Sequence, residues 1–279
     1  KVEEYLAKGY ALDDRVGTSY LEKEYEEYLQ GTHTVREIKT DKNGNVASDK
    51  VLSEGKSGQN LKLTINADFQ AGVENILQQY YGADITSGYA TYSEGAYAVA
   101  LNPKTGAVLA MAGLSHDVGS TTTQLDALGT INDIFVPGSV VKAATLTAGW
   151  KSNVISGNQV LTDQPINIAG SPSIKSWFTD YGSRNITAVQ ALEYSSNTYM
   201  VQVALKMMGQ EYHSGMALST SGMKKAMEEL RATYAEYGMG TSTGIDLPEN
   251  TTGYLSKEYS AGNVLTEAFG QYDSYTPMQ

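Results

Sequence analysis

The stretch AYAVALNPKTGAVLAMAGL, residues 96–114, constrains the fold more than any other part of the sequence. Two arms rich in alanine and valine flank Pro103-Lys104-Thr105-Gly106, whose proline and glycine suit the early and late positions of a β-turn. The pattern therefore predicts a β-hairpin. Because small apolar residues occupy both faces of the arms, we expect a sheet that is buried between helices.

Helical periodicity dominates the chain on both sides of this hairpin. Before it, NLKLTIN alternates like a strand and ADFQAGVENILQQYYG predicts a helix that ends at Gly82. After it, we predict helices over VVKAATLTAGW, NITAVQALEY, NTYMVQVALKMMG and MKKAMEELRATYAEYG, followed by the turn-rich loop GMGTSTGIDLPENTTGY. A helix-rich chain with one antiparallel hairpin predicts the α+β class.

The first 58 residues have a different, more polar texture. SYLEKEYEEYLQG has helical spacing and stops at Gly31, and TVREIKTDKNGNVASDKVL predicts a hairpin that turns at Asn43-Gly44. The Gly/Ser-rich segment SEGKSGQ follows. We place a domain boundary there, which gives a non-catalytic domain over residues 1–58 and a second domain over residues 59–279.

Composition excludes several classes of function. The formal net charge of −11 argues against a nucleic-acid partner, because such binding requires a concentrated basic face. The absence of cysteine excludes disulfides and thiolate chemistry. His33, His116 and His213 lie far apart without metal-like spacing, so we expect ordinary surface or loop histidines, no metal site and no cofactor. No apolar run reaches the length of a membrane span.

The segment VPGSVVKAATLTAGW carries the strongest chemical signal. Residues i and i+3 are neighbours on a helix, so Lys142 is expected within reach of the Ser139 hydroxyl. A lysine activates a serine only when it is neutral. Desolvation by Val140, Val141, Ala143 and Ala144, together with the helix dipole, should lower the pKa of Lys142. The Ser139 backbone N–H could also stabilise an oxyanion.

Two other Ser-x-x-Lys pairs weaken this signal when it is taken alone. Ser53 and Lys56 lie in the Gly/Ser-rich segment, where nothing in the sequence fixes their side chains. Ser221 and Lys224 open a charged helix, and helix capping explains that serine. Physical grounds alone favour a helix N-cap serine followed by a lysine that reaches solvent.

A second motif, Ser195-Ser196-Asn197 in EYSSNTYM, lies between two predicted amphipathic helices. Two further Ser-x-Asn triplets begin at Ser156 and Ser183, but neither lies between such helices. Ser-x-x-Lys followed by Ser-x-Asn resembles the ordered motifs of penicillin-binding proteins and serine β-lactamases. NPKTGAVLAMAG, GTSTGIDLPENTTGY and AFGQYDSYTPMQ resemble class B penicillin-binding proteins in particular. The resemblance runs from about residue 10 to the last residue.

The resemblance implies a fold, an activity and partners. The fold is a central antiparallel sheet flanked by helices with a helical lobe, as in penicillin-binding transpeptidases and serine β-lactamases. Residues 1–58 would be the tail of an N-terminal pedestal. The activity is D,D-transpeptidation of peptidoglycan stem peptides at the extracellular face of the cell membrane, in association with the cell-wall synthesis machinery. A membrane anchor would lie outside this chain. β-Lactam antibiotics would acylate the same serine.

The resemblance also assigns roles to four residues. Ser139 would be the acylated nucleophile, and Lys142 would be the base that takes its proton. Ser195 would relay protons to the leaving group. Asn197 would bind the backbone amide of the substrate and help to hold Lys142. Ser195 and Asn197 would therefore bind substrate as well as assist catalysis.

The third family motif, Lys-Thr-Gly after Ser-x-Asn, is not found. The only Lys-Thr-Gly, at Lys104-Thr105-Gly106, precedes Ser139 and is explained by a β-turn. The family carries this motif on a strand beyond TPMQ, so we expect the second domain to be incomplete at its C-terminus, with the missing strands on an accompanying segment.

Three alternatives remain open at this point. The first is a β-lactamase or a β-lactam-sensing receptor of the same fold, against which the pedestal-like residues 1–58 argue. The second is a Ser/Lys amidase, which leaves Ser195 and Asn197 unexplained. The third is a catalytically impaired scaffold of the cell-wall machinery, against which the intact motif residues argue.

Overall fold

The computed structural model describes residues 2–279 and divides into two compact units. The first unit is the chain up to Thr64 together with Ile245–Pro248, and the second is Ile65–Gly244 with Glu249–Gln279. The Gly/Ser-rich segment belongs to the first unit, where Thr32 and Lys56 exchange backbone hydrogen bonds of 2.8 and 3.0 Å. The domain boundary after residue 58 stays a prediction. No helix within residues 2–279 has the length and apolar character that a membrane crossing requires.

The first unit consists of short helices and one hairpin. The predicted helix over SYLEKEYEEYLQG is interrupted at Tyr25, which separates α2 from α3. The predicted hairpin is confirmed: the Asp41 carboxylate accepts the N–H groups of Asn43 and Asn45 at 2.8 and 2.9 Å, and Gly44 has a φ of +82°. The elements are α1 (Val2–Ala7), α2 (Tyr20–Glu24), α3 (Glu26–Leu29), β1 (Val35–Thr40) and β2 (Val46–Ser53).

The second unit opens with a long helix that packs on a three-stranded antiparallel sheet. The strand order is β3-β4-β5, and the residues from Ala110 to Leu114 on β4 are buried on both faces, as predicted for a covered sheet. Tyr81 and Ile85 of the helix pack on Leu114. The elements are α4 (Ala67–Ser87), β3 (Gly95–Leu101), β4 (Val108–Ser115) and β5 (Gln124–Leu125).

Two predictions for this region were wrong. The helix α4 continues through Gly82 and ends at Gly88, whose φ of +82° is the left-handed conformation that a helix-terminating glycine adopts. The segment NLKLTIN forms no strand. At its end Asn66 donates its N–H to Leu109 O at 3.0 Å, but alternation alone does not make a strand.

The remainder of the second unit is mainly helical. The helix α8 was predicted to be amphipathic, yet all its residues except Asn197 and Lys206 are buried, because α6, α9 and α10 pack around it. The elements are α5 (Gly129–Asn132), a 3₁₀ turn (Gly138–Val141), α6 (Lys142–Lys151), β6 (Val160–Asp163), a 3₁₀ turn (Thr179–Tyr181), β7 (Arg184–Thr187), α7 (Ala188–Glu193), α8 (Asn197–Met207), α9 (Met223–Glu236) and α10 (Ala261–Glu267). The segregated sheet and helices confirm the α+β class.

Candidate functional site

Ser139 lies in the 3₁₀ turn that leads directly into α6. Gly138 precedes it with a φ of +64°, which favours glycine and explains the Pro-Gly pair before the serine. The N–H of Gly138 donates to Gly270 O at 2.8 Å, so the loop after α10 holds the turn. Ser139 itself is exposed, and neither its hydroxyl nor its backbone N–H has a hydrogen-bond partner within residues 2–279.

Lys142 is the first residue of α6 and is only 2% exposed. Its ammonium donates to Ser195 O at 2.7 Å, to Ser195 Oγ at 3.0 Å and to Asn197 Oδ1 at 2.7 Å. An ammonium has three N–H donors, so these acceptors use all of them and describe the charged form of the lysine. Lys142, Ser195 and Asn197 are therefore brought together, whereas the expected contact between Lys142 and the Ser139 hydroxyl is not made.

Burial lowers the pKa of Lys142 to about 8, and the negative charge of Asp163 opposes that shift. Val141 and Ala144 are buried as expected, but Val140 and Ala143 are exposed. The prediction that all four neighbours desolvate the lysine was thus wrong for two of them. Val140 and Ala143 face solvent at the start of α6 and cannot shield the lysine. Other elements, including the α7–α8 connection that carries Ser195, bury it instead.

Ser195 connects α7 to α8 and has a φ of +52°, a left-handed conformation that is uncommon for serine. This conformation is compatible with both its carbonyl oxygen and its hydroxyl lying within hydrogen-bond distance of Lys142. Strain of this kind persists only where the surrounding structure enforces it. Asn197 is held from the other side, since its Nδ2 donates to Lys175 O at 3.2 Å.

A buried polar cluster lies behind this site, and sequence reasoning missed it. Asp163, at the end of β6, is fully buried and accepts hydrogen bonds from the hydroxyls of Ser196 and Thr198. Ser176 lies between these groups, and its hydroxyl accepts the N–H of Asn197 at 3.1 Å. Neither LTDQP nor SIKSWF has a local pattern that could have identified these residues.

The competing motifs have ordinary structural roles. Lys104-Thr105-Gly106 forms the β3–β4 turn as predicted, with the Gly106 N–H bonded to Asn102 O at 2.8 Å. Lys224 is exposed and pairs with Glu228, as expected for a solvated segment. Ser221, however, is not the N-cap of α9, because Gly222 takes that position.

The other two Ser-x-Asn triplets also serve the fold. Asn158 Oδ1 accepts the N–H of Val189 in the first turn of α7, and Asn185 Oδ1 accepts the hydroxyl of Thr162 on the paired strand. Neither asparagine contacts Lys142, whose side-chain partners are Ser195 and Asn197.

One histidine departs from the prediction of ordinary surface or loop histidines. His116 is 5% exposed, and its Nδ1 and Nε2 lie 2.6 and 2.9 Å from the carbonyl oxygens of Ser93 and Ser120. Because a carbonyl oxygen only accepts, both ring nitrogens are placed to donate, which raises the pKa of His116. No group of three potential metal ligands occurs among residues 2–279.

The fold and the motif residues define a penicillin-binding transpeptidase domain. The penicillin-binding protein transpeptidase domain matches residues 96–279, and the penicillin-binding protein dimerisation domain matches residues 1–63. The chain belongs to the penicillin-binding protein transpeptidase family. The mixed sheet-and-helix fold predicted from the resemblance is thereby confirmed.

The chain is similar to individual members of the family over nearly its whole length. It is 59% identical to penicillin-binding protein 2B of Streptococcus pneumoniae TIGR4 over 280 aligned residues, covering 100% of this chain and 41% of that protein. The solved structure of penicillin-binding protein 2B from S. pneumoniae R6 matches this chain with a TM-score of 0.86 and 59% sequence identity. The match covers 99% of this chain and 45% of the solved one. The peptidoglycan D,D-transpeptidase FtsI of Escherichia coli K12 is 26% identical over 97% of the chain and 42% of its own length. The chain thus spans about two fifths of the length of these curated relatives.

Proposed function

We propose that the protein is a serine D,D-transpeptidase that cross-links peptidoglycan stem peptides and is acylated by β-lactams. The observation that carries the proposal is the buried Lys142, bonded to Ser195 and Asn197 one turn after the exposed Ser139. Family membership and the printed name of the E. coli relative support the reaction type.

In the proposed first step, the Ser139 oxygen attacks the carbonyl carbon of the penultimate D-alanine. Lys142 takes the hydroxyl proton, and the developing oxyanion meets the unpartnered N–H of Ser139. The peptide bond then breaks, and the departing D-alanine amine receives a proton through Ser195. The product is an ester between Ser139 and the shortened stem peptide.

In the second step, an amine of another stem peptide attacks the ester. A new amide bond forms, the ester bond breaks, and the proton lost by the amine returns to the Ser139 oxygen. In this proposal Asn197, whose side chain bonds to Lys142 and to Lys175 O, binds the amide of the donor peptide. A β-lactam follows the first step only, with its ring amide as the bond that breaks.

The charged Lys142 implies a requirement before the first step. While all three N–H groups of the ammonium are engaged, the lysine has no lone pair for the Ser139 proton. Loss of one proton frees that lone pair. Since the pKa of Lys142 is about 8, the acylation rate should rise as the pH increases through about 8.

The extracellular face of the cell membrane is the proposed location, and the cell-wall synthesis machinery is the proposed setting. Both rest on the likeness to penicillin-binding protein 2B. The second candidate is a catalytically impaired scaffold of the same fold. The unmade contact between Ser139 and Lys142 is the observation that favours it.

The intact mass before and after incubation with benzylpenicillin tests the proposal, on the protein as its gene encodes it. We expect a long-lived adduct that peptide mapping locates on Ser139 and that Ser139→Ala abolishes. Ser221→Ala, in the exposed Ser-x-x-Lys pair, is the matched control and should react like the native protein. A rapidly lost adduct would indicate a β-lactamase instead, and no adduct on folded protein would leave the scaffold.

A further inference from the structure

Asp163 is a fully buried carboxylate whose hydrogen-bond partners are all neutral hydroxyls. Its Oδ1 lies 2.6 Å from Thr198 Oγ1, its Oδ2 accepts the Ser196 hydroxyl, and Ser176 Oγ is 3.5 Å from the same oxygen. A buried carboxylate without a bonded cation is costly and calls for an explanation. Nothing in the reaction described above uses it directly.

The carboxylate determines the direction of the hydroxyl protons around it. An ionised carboxylate only accepts, so Ser196 and Thr198 both point their protons at Asp163. The Ser196 oxygen is then free to accept the N–H of Tyr199 at 2.9 Å. Ser176 accepts the N–H groups of Asn197 and Thr198 at 3.1 and 3.3 Å, so its own proton must point into the same cluster.

These acceptors satisfy the first three N–H groups of α8, those of Asn197, Thr198 and Tyr199. A helix start leaves such groups unpaired, and a negative charge near it is favourable. The cluster therefore fixes the position at which α8 begins. That position also places Asn197 Oδ1 and both Ser195 oxygens on the Lys142 ammonium.

We infer that Asp163 is a positioning residue for the proposed acylation. Through the hydroxyls of Ser176 and Ser196 it fixes the start of α8, and with it the acceptors on Ser195 and Asn197 that hold the Lys142 ammonium. This inference rests on the proposed function of Ser139 and Lys142. The placement of Asn197 should set the maximal acylation rate. The negative charge of Asp163, which raises the pKa of Lys142, should shift the pH at which Lys142 becomes available as a base.

Within residues 2–279, no charged group other than Asp163 raises the pKa of Lys142. The direct contacts of Lys142 on α8 and its connection are neutral, and Asp163 on β6 supplies the charge that raises its pKa. On α9, Glu229 and Glu236 bond to Ser152 and Lys151, at the far end of α6. Glu267 on α10 is buried, but its carboxylate bonds to the Asp273 N–H and the Tyr275 hydroxyl. Further charges are exposed: Glu193 on α7 and the Lys175–Asp180 pair.

The test is the second-order rate of acylation by a fluorescent penicillin, measured from pH 6 to 10 on the protein as its gene encodes it. For Asp163→Asn we expect the rising limb of the profile to move about one unit to lower pH, because the charged lysine loses its stabilising partner. We also expect the plateau rate to fall about 10- to 100-fold as Asn197 is displaced. Asp117→Asn removes an exposed carboxylate and should leave both quantities unchanged.

Ser176→Ala separates placement from charge and serves also if Asp163→Asn does not fold. It leaves two α8 N–H groups without their acceptor but keeps the carboxylate, so the plateau should fall while the limb stays in place. A plateau equal to that of the native protein overturns the positioning role. An unmoved limb in folded Asp163→Asn overturns the role of the charge. Failure of the native protein to react at any pH would instead overturn the proposed function.

Discussion

Two buried acidic clusters support the two halves of the candidate site, and they are constructed differently. Asp163 lies behind Lys142 and Asn197 and is bonded only to hydroxyls. Asp273 lies behind the Ser139 turn and is bonded by Arg231, through Nε at 2.7 Å and through its second guanidinium nitrogen at 2.8 Å. Hydroxyls can rotate and relay orientation, whereas a guanidinium fork fixes geometry. The first, the Asp163 cluster, therefore orients the groups around Lys142, and the second, the Asp273–Arg231 cluster, makes the region of the Ser139 turn rigid.

The second cluster reaches the nucleophile through the backbone. Tyr275 exchanges backbone hydrogen bonds of 2.8 and 2.9 Å with Phe135, four residues before Ser139, and Gly270 accepts the Gly138 N–H. Glu267, at the end of α10, accepts the Asp273 N–H at 2.9 Å. The loop that follows α10 is thus tied to the buried ion pair at one side and to the Ser139 turn at the other.

Loss of Arg231 should have the largest effect on stability. Arg231→Ala leaves the fully buried Asp273 without its cation and removes the bond to Ser256 O. Breaking a buried pair in this way costs about 3–5 kcal/mol of unfolding free energy. Denaturant unfolding measures it.

The same helix offers the control for this prediction. Lys224 on α9 is exposed and pairs with Glu228 at 3.8 Å, so Lys224→Ala should change the unfolding free energy by less than about 1 kcal/mol. Similar losses for the two variants would contradict the view that the second cluster provides rigidity.

A pair of glycines tests the link from the second cluster to Ser139. Gly270 and Gly106 have φ values of +78° and +74°, but an added Cβ would lie 2.0 Å from Gly138 O at the former and meet nothing within 4 Å at the latter. Gly106→Ala should cost about 1–2 kcal/mol for its backbone conformation. Gly270→Ala adds the clash, for a total of about 2–4 kcal/mol.

The two glycine variants should also differ in chemistry. The clash at Gly270 must displace the Gly138 carbonyl, so acylation by penicillin should slow in Gly270→Ala and stay unchanged in Gly106→Ala. Measuring both stability and acylation separates the two effects. Equal acylation rates would mean that the Ser139 turn does not depend on its contact with the loop after α10.

Local patterns predicted the elements that are specified locally. The Asn43-Gly44 hairpin, the 96–114 hairpin and α9 follow from turn chemistry and periodicity, and the structure contains each of them. The errors arise where distant residues decide. Ile85 and Tyr81 pack on Leu114 and extend α4 past Gly82, and three other helices bury the polar-looking side of α8.

The same division applies to the candidate site. Ser139, Lys142, Ser195 and Asn197 could be singled out because each pair lies within a few residues in a recognisable spacing. Asp163 could not, since it is 33 residues from Ser196 and stands in an unremarkable strand. Its importance follows only from the three-dimensional contact, which no local pattern encodes.

The smallest expected effect on stability concerns Glu267, the buried acid near Asp273 that Arg231 does not contact. Burial raises the pKa of Glu267 from 4.5 to about 7, so its ionised form is disfavoured in the folded protein. A raised pKa gives stability that is fully present below about 4.5 and is lost as the pH increases through about 7. The native melting temperature should therefore decline over that interval.

Glu267→Gln should flatten this decline, because glutamine stays neutral while its oxygen can still accept the Asp273 N–H and its amide can donate to the Tyr275 hydroxyl. We expect a loss of about 1 kcal/mol at pH 5, because the amide has one acceptor fewer, and a gain of about 1–2 kcal/mol at pH 8, where the native carboxyl has to ionise in its buried position. Glu228→Gln, on the surface of α9, should parallel the native curve. If the stability of Glu267→Gln also followed the native pH dependence, Arg231 would have to neutralise both Asp273 and Glu267. Both acids near Arg231 would then be neutralised by a cation, whereas Asp163 is bonded only to hydroxyls.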